Sequence, residues 1–194
     1  MKKILLTAFE PFGEIENNSS LEVIKRVKEV ENTKIIKKVL KVDYNLSNFE
    51  NLLDENVDIL LLCGQASRSC KIALEQVAIN FMYSKQNDNA GNKKLGEKIY
   101  LDGPDAYFNT IDATNLVLKL EDRYPLILSL SAGAYICNLS YYVSLYQCNK
   151  QNLKTKIGFI HFPLYTNQTS KDYQSIDLDI MVNTLNEIIK ELVK

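Results

Sequence analysis

Val57-Asp58-Ile59-Leu60-Leu61-Leu62-Cys63, residues 57 to 63, runs apolar without a break from Ile59 onward. A strand with one face in water alternates apolar and polar side chains; a strand covered on both faces does not. This stretch therefore predicts an inner strand of a sheet with helices packed on each side. Its neighbours follow the same plan. Lys3 to Ala8 and Ile35 to Val42 are predicted strands. So are KIALEQVAINFMY (71–83, read as one long segment), LILSL after Pro125, and KIGFIHF (156–162).

Helical patterns fall between these strands. Ser19-Ser20-Leu21-Glu22 resembles a capping box, with Ser19 as N-cap and Glu22 reaching back, and it predicts a helix through about Val30. Leu46, Phe49, Leu52 and Leu53 give one face of a second helix, and Ala113 to Glu121 form a third. A turn at Ser131-Ala132-Gly133 leads into a helix carrying Tyr135 to Tyr146. The C-terminal helix places Ile180, Met181, Leu185, Ile188, Ile189 and Leu192 on one face. Residues 84 to 104 are polar and aperiodic, which predicts a mobile excursion, a lid or an oligomer contact. Strands alternating with helices define the α/β class. The length, 194 residues, is that of one domain spanning 1–194, with no internal repeat or linker.

The bulk numbers exclude several partners. Apolar residues make up 46% and charged residues 24%, and the net charge is −1. No basic surplus points to nucleic acid or to an anionic membrane. The apolar run in MKKILLTAFEPFG stops at Glu10-Pro11, too short for a secretory leader or a membrane span, so the expected location is cytoplasmic. Four cysteines (Cys63, Cys70, Cys137, Cys148) form no Cys-x-x-Cys, and the single histidine, His161, gives no zinc set. Most of these thiols are expected to be free and buried.

One cysteine has surroundings that suit a nucleophile. Cys137 follows a strand and a small-residue turn and enters the first turns of a helix, whose N–H groups stabilise a thiolate or an oxyanion. The bland reading of the same residue is a packed core thiol. His161 ends an inner strand just before Pro163, where an imidazole serves either as a base or as a core residue. Glu75 interrupts the apolar IALEQVAIN. A carboxylate inside such a strand needs a partner, unless that strand is an edge whose alternate residues face water.

Five segments carry a resemblance: TAFEPFG (7–13), GQA with LEQVAIN (64–80), DNAGN (88–92) with DGPDAYFNT (102–110), SLSAGAYICN (129–138) and GFIHFP (158–163). Together, in order and spacing, they resemble the pyrrolidone-carboxylate peptidases, or type I pyroglutamyl peptidases. The resemblance implies a single-domain α/β/α sandwich around a twisted mixed sheet, in a homodimer or homotetramer. It implies a cysteine omega-peptidase that removes N-terminal pyroglutamate from peptides through a thioester. By that resemblance Cys137 is the nucleophile, His161 the base and Glu75 the orienting acid. Phe9 and Phe12 line the lactam pocket with Asn18, Gln65, Tyr135 and Ile136, and no metal or organic cofactor is required.

Several positions depart from the family pattern. Glu14 replaces a glycine, Ser19 a proline and Gln76 an arginine; Ser67-Arg68-Ser69 replaces Gly-Gly-Arg, and Ile111-Asp112 replaces leucine-proline. Gln76, Ser69 and Glu14 motivate an alternative, a weak or inactive relative that only binds a lactam or a peptide N-terminus. A glutamine amidotransferase would need glycines two residues either side of the cysteine, where Tyr135 and Leu139 stand. A nucleoside phosphorylase of similar architecture would need a phosphate loop, and none is apparent.

Overall fold

The computed structural model describes residues 1–13, 16–54, 56–168 and 174–194; Glu14 lies outside the described residues. The chain begins with β1 (Lys2–Phe9), α1 (Ser19–Arg26), β2 (Thr33–Leu40), the short α2 (Ser47–Glu50) and β3 (Ile59–Gln65). It continues through β4 (Ile72–Glu75), β5 (Val77–Ile79), β6 (Met82–Tyr83), β7 (Leu95–Glu97) and β8 (Ala106–Phe108). Then come α3 (Ala113–Leu120), β9 (Leu126–Ser129), α4 (Ile136–Lys150) and β10 (Lys156–Phe162). The last elements are β11 (Leu164–Tyr165), β12 (Ser175–Ile176) and α5 (Leu178–Val193). No helix among the described residues is long and apolar enough to cross a membrane.

Six strands form the central sheet in the order β2-β1-β3-β10-β4-β9. All neighbours are parallel except β10 and β4, so the sheet is mixed. Side chains alternate between its faces. Ile4, Leu6, Ile59, Leu61, Ile160 and Phe162 pack against α1, α3 and α5. Leu5, Phe9, Leu60, Leu62, Ile157 and Phe159 pack against α2 and α4. The all-apolar 59–63 run thus feeds two cores, one on each side, as the sandwich requires.

Four local expectations are corrected. The cap of α1 is Asn18, not Ser19: Asn18 has extended backbone (φ −116°, ψ 120°) and its Oδ1 accepts from Ser20 N. Ser19 is already inside the helix, and its N–H goes to Gln65 Oε1 at 2.8 Å. Glu22 pairs with Lys25 instead of reaching back, and the helix ends at Arg26, where Lys37 Nζ binds the Lys25 and Val27 carbonyls. The 71–83 segment is three strands, not one. After Glu75 the chain leaves the sheet, because Asn109 N binds Gln76 O and draws β5 onto β8. Asn138 then holds Ile79 N, Ile79 O and Phe81 O with its side chain. On α5, Ile180 is 43% exposed; the inward face is Met181, Val182, Leu185, Ile188, Ile189 and Leu192. All four cysteines are free, but Cys70 is exposed, because it lies in the turn before β4.

Gly158 shows how tightly β10 meets the helix-side layer. A methyl at its Cα would overlap Ile111 Cδ1 and come within 2.8 Å of Ile111 Cγ1. Ile111 is buried in the core beside α3. Overpacking of this kind costs about 1–3 kcal/mol. Gly158→Ala is expected to lower the unfolding free energy by that amount, seen as a lower urea midpoint at unchanged slope, and Ile111→Val in the same background is expected to recover part of it.

Candidate active site

Cys137 is the second residue of α4, whose N-cap, Tyr135, makes no side-chain capping bond. The first-turn N–H groups are therefore available beside the thiol, at the positive end of the helix. The approach to this turn uses Gly133 at φ +80°, a left-handed conformation that favours glycine. The thiol rests against the sheet: a methyl on Gly64 would lie 2.9 Å from Cys137 Sγ and 2.9 Å from Phe159 Cζ. Glycine at the end of β3 is what lets α4 bring its cysteine this close.

His161 lies on β10 opposite Gly64 of β3 and Ala73 of β4. Glu75 lies opposite Phe159, two residues earlier on β10. In an antiparallel pair these residues share a face, and Glu75 and His161 are diagonal neighbours within reach of a long side chain. His161 Nδ1 and Glu75 Oε1 are 2.7 Å apart. Glu75 is 3% exposed, so the water-facing edge reading of this residue is excluded. Its Oε2 has no hydrogen-bond partner among the described residues. Phe159 packs against the imidazole at a tilt of 54°, with 4.7 Å between ring centroids.

Burial alone would push the His161 pKa down. It is outweighed by the Cys137 charge and the hydrogen bond to that side chain, then by the Glu75 hydrogen bond and charge, which together push it up to about 10. With Nδ1 committed to Glu75, Nε2 is the nitrogen left to meet Cys137. The three residues singled out from the sequence thus converge, and the arrangement favours a protonated imidazole beside the Cys137 sulfur. The other thiols lack such company. Burial pushes the Cys63 thiol far up, on the opposite face of the sheet. Cys148 is raised by burial and held by the Leu153 and Thr155 carbonyls, in a more open groove that contains no imidazole.

Beside Cys137 is a small pocket lined by Phe9, Phe12, Asn18, Val42, Gln65, Tyr135 and Ile136. All six pocket residues proposed from the sequence line it; Val42, two residues beyond β2, was missed. The side chains of the two polar members are occupied. Asn18 caps α1 and donates to the Glu10 carbonyl. Gln65 accepts from Ser19 N and Gln168 Nε2 and donates to Ser67 Oγ. The polar 84–104 segment supplies the outer brace. Asp88 receives Tyr44 N, Ala90 N and Asn92 N, while Asn89 binds Glu10 Oε1 and the Pro11 carbonyl. Tyr135 donates to the Asn87 carbonyl and meets the Tyr44 ring edge-on at 5.7 Å. Gln76 Oε1 accepts from Asn109 Nδ2 at 2.7 Å, and Arg68 is exposed.

A family model described as Pyroglutamyl peptidase matches residues 2–194. The chain belongs to the pyroglutamyl peptidase family. It is 40% identical over 195 residues to a pyrrolidone-carboxylate peptidase of Thermosipho melanesiensis, covering 97% of this chain and 96% of that one. A Thermococcus onnurineus relative of the same name is 36% identical over 99% of both chains. The solved pyrrolidone carboxyl peptidase of Thermococcus litoralis superimposes with a TM-score of 0.93 at 28% identity, covering 100% of this chain and 94% of that one. That of Fervidobacterium islandicum gives 0.92 at 32%, covering 100% and 99%. The α/β sandwich with its mixed sheet is the fold of these pyroglutamyl peptidase structures.

A single histidine makes the electrostatics of this site directly readable, since only one imidazole contributes to the NMR spectrum. Its ring signals are expected to titrate with a midpoint far above the ordinary value of about 6.5, near 10. Cys137→Ser and Glu75→Gln are each expected to lower that midpoint, because each removes a negative neighbour.

Proposed function

We propose that this protein is a cysteine omega-peptidase that removes an N-terminal pyroglutamyl residue from peptides. The observation that carries this reading is the meeting of Cys137, His161 and Glu75 beside a pocket walled by Phe9, Phe12, Val42, Tyr135 and Ile136. Pyroglutamate is a small flat lactam with no charged α-amine. An apolar pocket accepts such a ring and rejects an ordinary N-terminus, whose ammonium is costly to bury. Because the Asn18 and Gln65 side chains hold the walls, the lactam N–H and C=O fall to main-chain groups of the pocket.

In the first step the Cys137 thiolate attacks the pyroglutamyl carbonyl carbon. The N–H groups of the first turn of α4 receive the developing oxyanion. The intermediate collapses, the C–N bond breaks, and the leaving amine takes a proton from His161 Nε2. A pyroglutamyl thioester remains on Cys137. Neutral His161 then takes a proton from water as the hydroxyl attacks the thioester, and free pyroglutamate leaves as the thiolate is restored. Glu75 holds Nδ1 throughout, so the ring presents Nε2 to both steps.

The proposal extends to residues 1–194 acting as one catalytic domain, in the cytoplasm, where thiols stay reduced. It includes self-association as a homodimer or homotetramer, supported by the exposed Phe81, Tyr83, Leu95, Leu101 and Phe108. It includes no nucleic-acid or membrane partner.

Release of a fluorogenic amine from its L-pyroglutamyl amide tests the reading, with prolyl and alanyl amides in parallel. Selective cleavage of the pyroglutamyl amide is expected, and Cys137→Ser is expected to lower it by about 10³-fold or more. Catalysis requires a protonated His161, and its raised pKa keeps that proton on through neutrality. The alkaline limb of kcat/KM is therefore expected near 10, not near 6.5. No selective cleavage by the folded protein would reject the proposal.

A further inference from the structure

Tyr141 lies four residues after Cys137 on α4, so the two side chains share one face of the helix. It is fully buried, between the helix and the sheet. A phenol in such a place needs a hydrogen-bond partner for its hydroxyl. The partner is the main-chain carbonyl of Glu75, at 3.1 Å. Glu75 is the last residue of β4, where the chain leaves the central sheet for β5. The Tyr141 ring packs on Phe159, with 5.6 Å between centroids, and Phe159 packs in turn on His161.

We propose that Tyr141 is a positioning residue: its hydroxyl locks the backbone of Glu75 to the helix that carries Cys137, so acid, base and nucleophile stay in register. Phenylalanine would fill the same space and serve the apolar core equally well. The hydroxyl adds one bond, and that bond ends on the residue whose carboxylate holds His161. Without it the end of β4 keeps only its sheet partners, Phe159 of β10 and Ser129 of β9, where the strand bends away, and the carboxylate is held less closely on Nδ1.

The inference rests on the triad reading above, and its test separates the two. In the full chain, Tyr141→Phe removes only the oxygen, and Tyr141→Leu removes the ring as well. Tyr141→Phe is expected to lower kcat on the pyroglutamyl amide about five- to tenfold with KM within about twofold, a loss confined to the chemical step. The same variant is expected to lower the NMR titration midpoint of His161, a readout that a purely packing role would not move. In a Glu75→Gln background, Tyr141→Phe is expected to change kcat by less than about twofold, because the two act as one unit. An unchanged kcat and midpoint in Tyr141→Phe, with only Tyr141→Leu impaired, would overturn the proposal in favour of packing. So would the same factor of loss in both backgrounds. If the wild-type protein cleaves no pyroglutamyl amide, the function fails, while the His161 midpoint still decides the role of Tyr141.

Discussion

The bond between Glu75 and His161 is the constraint on which the site depends. A carboxylate buried inside a sheet is costly unless something pairs with it, and removing one partner of such a pair costs about 3–5 kcal/mol. The chain offers one imidazole to do this, and it stands 2.7 Å away. The pairing fixes which ring nitrogen faces Glu75 and leaves the other for Cys137. It also holds positive charge beside the Cys137 sulfur. One contact thus satisfies a folding requirement and a chemical one.

The sheet makes that contact possible through its single antiparallel junction. Only where β10 meets β4 do the strands run in opposite directions, and this is where Glu75 and His161 become diagonal neighbours on one face. The same face receives α4, and Gly64 opens the space for its cysteine. The pocket then forms between the N-terminus of α4 and the ends of β1 and β3. It is braced from outside by the hydrogen bonds of Asp88 and Asn89. Asn18 and Gln65, which border the pocket, also hold its walls through their side-chain hydrogen bonds.

Much of this was legible in the residues. The order of strands and helices followed from apolar periodicity, and the 156–162 strand matches β10 end for end. Cys137, His161 and Glu75 stood out as candidates (a thiol after a small-residue turn, the only imidazole, a charge in an apolar strand), and the family resemblance joined them into a triad. What could not be read depends on distant partners. The capping pattern at Ser19 is as good on paper as the cap at Asn18; the Gln65 amide, far along the chain, takes the Ser19 N–H and decides between them. Periodicity did not show that the 71–83 run changes partners at Gln76, since Asn109 and Asn138 impose the break. Tyr141 reads as core on any helical wheel, and only its contact with the Glu75 carbonyl distinguishes it.

In the proposed reaction the imidazole held by Glu75 makes Cys137 the residue that accepts the pyroglutamyl group. Mixing the protein with an activated pyroglutamyl ester, quenching in acid within the first turnover, and locating the added mass tests it most directly. One pyroglutamyl unit is expected on Cys137, none on the exposed Cys70, and none at all in Cys137→Ser. Turnover of the ester with the adduct on another residue, or with no adduct on Cys137, would contradict it.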